Sequence, residues 1–261
     1  MKNLKKRLKA GETLNGCWLN LGSSLTAEIV GKAGFDWVLI DLEHGAGTER
    51  ELLAQLQALE ASNTGALVRV ESNAKQRIQR VLDLGAEGIM CPQIRSAEEA
   101  KNVIQSMYYP PYGNRGVAKM VRATEFGKQF ENYKAHLNEN LLGIIQIETA
   151  EALNQLDQIA EFDGLDVLFI GPADLSMSLG IFGQFDHPIF KEALKDTIVA
   201  ANKAGKATGI LLFNPDDYGT YYEMGIKLIA CGSDATFVAS GSQSIATNLN
   251  AKKIQYQNNK H

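Results

Sequence analysis

Short runs of consecutive apolar residues alternate along the chain with longer stretches in which apolar residues return every three or four positions. The runs are Gly16–Asn20, Asp36–Asp41, Ala66–Val70, Gly88–Cys91, Leu142–Ile147, Asp166–Ile170, Thr208–Phe213 and Lys227–Cys231. They predict eight strands. Segments such as VLI, LLGIIQI, VLFI and GILLF lack the alternation of a half-exposed strand, which suits parallel strands covered on both faces. Between the runs, Leu52, Leu53, Leu56 and Leu59, or Leu153, Leu156, Ile159 and Ala160, recur at helical spacing and predict amphipathic helices.

The predicted helix ends carry matching signals. Thr48-x-x-Glu51 and Ser96-x-x-Glu99 read as capping boxes, because a hydroxyl and a carboxylate three residues apart can satisfy each other's free backbone amides. Gly34, Gly85, Gly205 and Gly225 each follow a helical stretch and precede a strand, as stops do. Eight such units in 261 residues predict an α/β fold, a parallel eight-stranded (β/α)8 TIM barrel forming a single domain over residues 1–261. An open doubly wound sheet would want a G-x-G-x-x-G turn after an early strand, and none is present, so no nucleotide is expected. Gly205-Lys206-Ala207-Thr208 resembles the end of a P-loop, but a strand follows where a helix should. One connection is enlarged. About fifty residues separate strands 4 and 5, with a helix predicted near Ala97–Met107, the turn-rich YPPYGNRG, and a second helix near Glu125–Leu137. Insertions of that size commonly serve as a lid or a subunit arm.

Composition narrows the function classes. Lys and Arg number 26 against 30 Asp and Glu, a net charge of −4, which gives no basic footprint for nucleic acid or an anionic membrane. No apolar stretch approaches the roughly 20 residues that span a bilayer. The opening MKNLKKRLKAGETL has Leu4 and Leu8 at helical spacing with no apolar run behind them, so a short helix is expected rather than a signal peptide, and a cytoplasmic location with it. Cys17, Cys91 and Cys231 lie in separate apolar runs with no metal-ligand spacing and read as reduced core thiols.

A TIM barrel builds its active site at the C-terminal ends of its strands. Those ends carry Trp18 and Asn20, Asp41, Glu43 and His44, Arg69 and Glu71, Gln146 and Glu148, Gly171-Pro172-Ala173-Asp174, Asn214, and Ser233 with Asp234. His44 alone among the four histidines (His136, His187 and His261 are the others) is placed for proton transfer. Asp41, three residues earlier, can fix its tautomer, or the two can merely close a loop. Glu148 and Asp174 end neighbouring strands with no His or Cys beside them. Two hard oxygen ligands suit Mg²⁺ or Mn²⁺, although both can also be solvated loop acids. Pro172 stiffens its turn, and the amides of Ala173 and Asp174, opening a helix, can receive an anion. Arg69 can fork onto a carboxylate or enolate oxygen, pair with Glu43 or Asp41, or do both. Lys206 and Lys227 stand at the wrong ends of their strands for a Schiff base, so an enolate would need a metal. Asp83 sits at a helix C-terminus, where the macrodipole disfavours it.

GCWLNLGSS, AGFDWVLIDLEHG, LVRV, VLDLGAEGIMCPQI, YPPYGNRGV, IIQIETAEAL, FIGPADLS and GKATGILLF together resemble, in order and spacing, the metal-dependent pyruvate aldolases of the HpcH/HpaI family. The resemblance implies a class II aldolase that cleaves 4-hydroxy-2-oxo acids to pyruvate and an aldehyde, with substrates like 4-hydroxy-2-oxoheptanedioate or 2-keto-3-deoxy sugar acids. It implies His44 as base through a metal-bound water, Asp41 orienting it, Arg69 on the keto or enolate oxygen, and Glu148 and Asp174 on Mg²⁺, Mn²⁺ or Co²⁺. Gln146, Gly171 and Pro172 are expected to border the bound keto acid. The amides at Ala173 and Asp174 would take its carboxylate, Trp18 would gate the mouth, and Asp83 would come from a neighbouring subunit of a homohexamer built as a dimer of trimers. Asn20, the 118–138 segment and the tail after Asn250 depart from the pattern, and Arg115 and Arg122 are open candidates for a distal carboxylate. Competing readings are a citrate-lyase-like or malyl-CoA-like lyase, a phosphate-binding barrel isomerase or synthase using Gly232-Ser233-Asp234, and an inactive barrel used for binding.

Overall fold

The computed structural model describes residues 2–259; His261 lies outside them. Eight parallel strands close in chain order into a barrel: β1 Leu14–Leu19, β2 Trp37–Asp41, β3 Gly65–Arg69, β4 Gly88–Cys91, β5 Leu142–Ile147, β6 Val167–Ile170, β7 Ala207–Leu212 and β8 Leu228–Ser233. The helices are α1 Leu4–Lys9, α2 Ser24–Gly31, α3 Glu49–Leu59, α4 Lys75–Asp83, α5 Ala97–Met107, α6 Phe130–Asn140, α7 Ala150–Leu153, α8 Leu156–Ala160, α9 Pro172–Ser178, α10 Pro188–Lys203, α11 Tyr218–Glu223 and α12 Asp234–Asn258.

The barrel interior is filled by large side chains, with Trp37 and Phe169 edge-on at 6.5 Å between ring centroids. Trp37 leaves no donor unpaired, since its Nε1 donates to the Leu14 carbonyl at 3.1 Å. Its ring lies where a side chain on Gly16 would stand, so β1 must be bare at that point. The outer faces of the strands pack under the helices, which is why the apolar runs show no alternation. All four stop glycines adopt positive φ, from 67° at Gly205 to 101° at Gly34.

Three local expectations change. At α3 the capping box of Thr48 and Glu51 is complete, but at α5 the Glu99 carboxylate turns back to the amide of Arg95 while Ser96 alone caps Glu99. The second helix of the enlarged connection starts at Phe130 rather than near Glu125, because Glu125 and Phe126 adopt left-handed conformations that end a helical turn there. The connection itself is no lid on this chain's barrel mouth. It follows α5 and so emerges at the N-terminal end, where Arg122 donates to the Leu84 carbonyl and α6 packs beside α1. Among the described residues no helix is long and apolar enough to cross a membrane.

Candidate active site

At the C-terminal end the strands surround a cavity of ≈ 560 Å³. Trp18, Asp41, His44, Arg69, Gln146 and Gly171 to Asp174 all border it, so separate strand ends and their loops deliver the expected residues to one place. Glu148 sits behind this wall, bonded to Gln146.

Asp41 and Arg69 occupy partnered register positions on β2 and β3, which fixes their geometry. Arg69 Nε donates to Asp41 Oδ1 at 2.9 Å, Nη2 donates to Oδ2 at 2.7 Å, and Nη1 lies 3.0 Å from Glu43 Oε2. A guanidinium has five N–H donors. Three are engaged here, which leaves two, and Arg69 borders the open cavity. Ion pairing therefore leaves donors free for a ligand. Asp41 acts on His44 differently from the expectation. Its Oδ1 accepts the backbone amides of Glu43 and His44, at 3.1 and 3.3 Å, and its Oδ2 accepts Asn20 Nδ2 at 2.8 Å. The imidazole is not bonded to Asp41. It stands outward with 66% of the side chain exposed, its Nε2 3.9 Å from Glu43 Oε2. Asp41 positions the loop that carries His44, not the ring.

Glu148 is 2% exposed and its carboxyl is pushed up to about 7. Burial is the main cause; the nearby carboxylates of Asp174 and Glu43 add to it, and Arg69 opposes it. The Gln93 amide also opposes it, donating to Glu148 Oε1 at 2.5 Å from a residue held in the left-handed region at φ 56°. Gln146 donates its Nε2 to Glu148 Oε2, and its own Oε1 is buried with no partner among the described residues. Gly171 completes the wall: a Cβ there would come within 2.6 Å of Gln146 Nε2 and 2.8 Å of Glu148 Oε2. With Gly171 at the N-cap, α9 begins without a side-chain cap, so its first amides stay free beside the cavity.

These features fit a divalent cation. A carboxylate held above its ordinary range by burial, and further by neighbouring carboxylates, lacks positive charge, and a sealed amide oxygen lacks a partner. Among the described residues no cluster of three or more His, Cys, Asp or Glu side chains is arranged as a metal cage. Glu148 and Asp174 offer two hard ligands, the number typical of Mg²⁺ sites completed by water and substrate.

Trp18 does not stand at the mouth. It is 5% exposed, packed on Trp37 and Phe169 at 6.0 and 5.6 Å, and forms part of the floor. The exposed aromatics at the rim are Phe213 and Phe237, neither of which is among the strand-end candidates. Gln93 is also missing from them, although the strand-end rule reaches it once extended to β4. Arg115 and Arg122 do not approach the cavity. Asp83, at the end of α4, is paired with Arg115 Nη2 at 2.8 Å, which offsets its unfavourable place on the helix dipole. Ser233 and Asp234 form no phosphate cradle: Asp234 is buried and its own carboxylate accepts the Asn20 amide at 2.7 Å and the Thr26 hydroxyl at 2.7 Å.

A sequence profile described as HpcH/HpaI aldolase/citrate lyase matches residues 14–240. A 4-hydroxy-2-oxo-heptane-1,7-dioate aldolase of Salmonella heidelberg (strain SL476) is 39% identical over 254 residues, 97% of each chain. The crystal structure of an HpcH/HpaI aldolase/citrate lyase family protein from Burkholderia cenocepacia J2315 superposes with a TM-score of 0.90 at 34% identity, covering 96% of this chain and 100% of that one. That of an HpcH/HpaI aldolase from Desulfitobacterium hafniense DCB-2 does so at 0.85 and 31%, covering 93% and 96%.

Proposed function

Because this chain belongs to the HpcH/HpaI aldolase/citrate lyase family, as a carbon–carbon lyase of the aldolase type, we propose that it cleaves 4-hydroxy-2-oxo acids such as 4-hydroxy-2-oxoheptanedioate to pyruvate and an aldehyde at this cavity. The observation that carries the site assignment is the meeting, at one end of the barrel, of a guanidinium with free donors and a buried carboxylate short of positive charge. A divalent metal is typical of this family, and we infer that the reaction here uses one. Glu148 and Asp174 would hold it, and when bound it supplies positive charge where the enolate oxygen develops its own.

The remaining steps belong to this chain's residues. Arg69, clamped by Asp41 and Glu43, presents its free donors to the 2-oxo oxygen without reorganising, and such a preorganised donor contributes about 3 kcal/mol to transition-state stabilisation. The free first amides of α9 receive the keto acid's carboxylate. His44, held at the rim by the hydrogen bond its backbone amide donates to Asp41, takes the 4-hydroxyl proton as the C3–C4 bond breaks. The electron pair remains on pyruvate C3, which is then reprotonated. Gln146 holds the Glu148 carboxylate through its Nε2 hydrogen bond, and the bare Gly171 leaves that pair room. Lys206 and Lys227 lie at the opposite end of the barrel, which supports chemistry without a Schiff base.

We extend the same reading to the assembly. α12 carries Phe237, Val238, Ile245 and Leu249 exposed along its length, and a homohexamer that covers them would also let Asp83 approach a neighbour's cavity. The choice among Mg²⁺, Mn²⁺ and Co²⁺ and a cytoplasmic setting belong to this proposal too; three free cysteines suit a reducing compartment. The test is direct. EDTA should abolish release of pyruvate from 4-hydroxy-2-oxoheptanedioate, Mg²⁺ or Mn²⁺ should restore it, and borohydride with pyruvate should leave the protein mass unchanged. Full activity after chelation, or a borohydride adduct, rejects the mechanism. Acyl-CoA turnover in place of aldehyde release would favour the malyl-CoA-like alternative.

A further inference from the structure

The N-terminal end of the barrel holds a second cavity, of ≈ 620 Å³, which the aldolase chemistry does not use. Four lysines converge on it, Lys5 and Lys9 from α1, Lys206 just before β7 and Lys227 just before β8, together with Asp163 and Asp166. The charge of Asp166 is already taken. Its Oδ2 lies 2.9 Å from Lys5 Nζ and accepts the Gly143 amide at 3.0 Å, while Lys5, almost fully buried, also donates to the Leu141 carbonyl at 3.1 Å. That pair forms a neutral floor.

The other three lysines are not neutralised. Among the described residues Lys9, Lys206 and Lys227 make no ion pair; Lys206 Nζ reaches only the Phe162 carbonyl at 3.2 Å, and Lys227 Nζ stands 5.8 Å from the Tyr222 ring. Lys9 and Lys206 both lie near enough to Lys5 to oppose its charge, adding to the effect of burial. Set against Asp163, the three leave 3 − 1 = 2 positive charges facing one cavity. No arginine borders it, so the planar fork that suits carboxylates is missing and the cations are point charges, the form in which lysine binds phosphate. A phosphate monoester carries about −1.5 to −2 at neutral pH, which matches the surplus.

We propose that this cavity is a binding site for a small phosphate-bearing anion, gripped by Lys9, Lys206 and Lys227 and joining α1 to the starts of β7 and β8. The occupant touches elements distant in the chain, so binding stabilises the native state by mass action. The experiment uses the whole protein in metal-free buffer, titrated with inorganic phosphate and with pyrophosphate against sodium chloride at matched ionic strength, and follows Tm and heat of binding. A saturable rise in Tm of several degrees is expected, larger for pyrophosphate. A Lys206→Glu, Lys227→Glu variant should lose that rise while keeping its aldol cleavage rate, assayed separately with Mg²⁺, within twofold of the parent, and Lys206→Gln, Lys227→Gln should weaken binding at least tenfold. A rise no greater than that with chloride overturns the proposal, as does an equal rise in the charge-reversed variant, which would put the anion elsewhere. The readout needs neither metal nor substrate, so it stands apart from the aldolase reading.

Discussion

Arg69 and Arg115 are the two most deeply sealed arginines of the chain, 7% and 1% exposed, and both are bonded to carboxylates, yet only one belongs to the cavity at the C-terminal end. Arg115 has its Nη2 on Asp83, its Nη1 on the Tyr133 hydroxyl at 3.0 Å, and its faces against Tyr109 and Tyr133 at 4.9 and 5.6 Å from the ring centroids. No side of it faces open space. Arg69 is clamped on one side only, and its remaining donors look into ≈ 560 Å³ of room. Burial and ion pairing therefore do not distinguish a binding arginine from one that stitches a loop to a helix; an unfilled direction does.

The largest effect should follow from removing the clamped fork. Arg69→Ala leaves Asp41 and Glu43 without their partner, so a stability loss of about 3–5 kcal/mol is expected in urea denaturation, with a roughly hundredfold lower kcat/KM in the folded fraction, the rate equivalent of about 3 kcal/mol. Arg69→Lys should recover part of the stability but little of the rate, because an ammonium cannot replace the bidentate geometry. Activity within tenfold of the parent in either variant would remove Arg69 from the site. His44→Ala separates rate from stability. Its exposed side chain predicts a stability change within about 0.5 kcal/mol, while exchange of pyruvate methyl protons, followed by NMR in D₂O, should slow by about 10²–10⁴-fold.

The same contrast separates what is legible in the amino-acid sequence from what is not. The barrel is legible because most strand positions are buried on both faces and helix after helix ends on a glycine, so pattern and punctuation agree. The strand-end rule then collects His44, Asp41, Arg69 and Gln146 around one cavity. It fails where backbone conformation or facing direction decides. Gln93 matters because a left-handed residue after Pro92 aims its amide at Glu148, which no periodicity encodes. Arg115 and Arg122 resemble binding arginines only if the connection after α5 is put at the wrong end of the barrel; a loop that leads from helix to strand emerges opposite the site. Trp18 belongs at the rim by its place on β1, but its neighbours Trp37 and Phe169 draw it into the floor.

Arg115→Ala should expose the other half of the comparison. It removes the partner of Asp83 and the filling between two tyrosines, and a loss of about 3 kcal/mol is expected. Chemical denaturation with Tyr fluorescence measures it, and a loss under about 1 kcal/mol would mean the connection is held by other contacts.

The most diagnostic effect concerns Glu148, whose burial works against its own charge. Its carboxyl stands at about 7 in the fold, against an ordinary value of 4.5. Between those values the native state binds more protons than the unfolded chain, so metal-free protein should lose stability as pH rises through this window, by up to about 3 kcal/mol at one pKa unit per 1.36 kcal/mol. Glu148→Gln keeps the shape and removes the charge. In EDTA it should therefore be more stable than the parent at pH 8 and nearly equal at pH 4.5, and the parent's slope across the window should flatten. Saturating Mg²⁺ or Mn²⁺ should flatten the parent's slope as well, by supplying the missing positive charge, and should leave the variant unmoved. Tm measured at several pH values with and without metal resolves all four cases. A parent that keeps its slope in the presence of metal would detach Glu148 from the cation, even though the barrel, its arginine clamp and its neighbours stayed as they are.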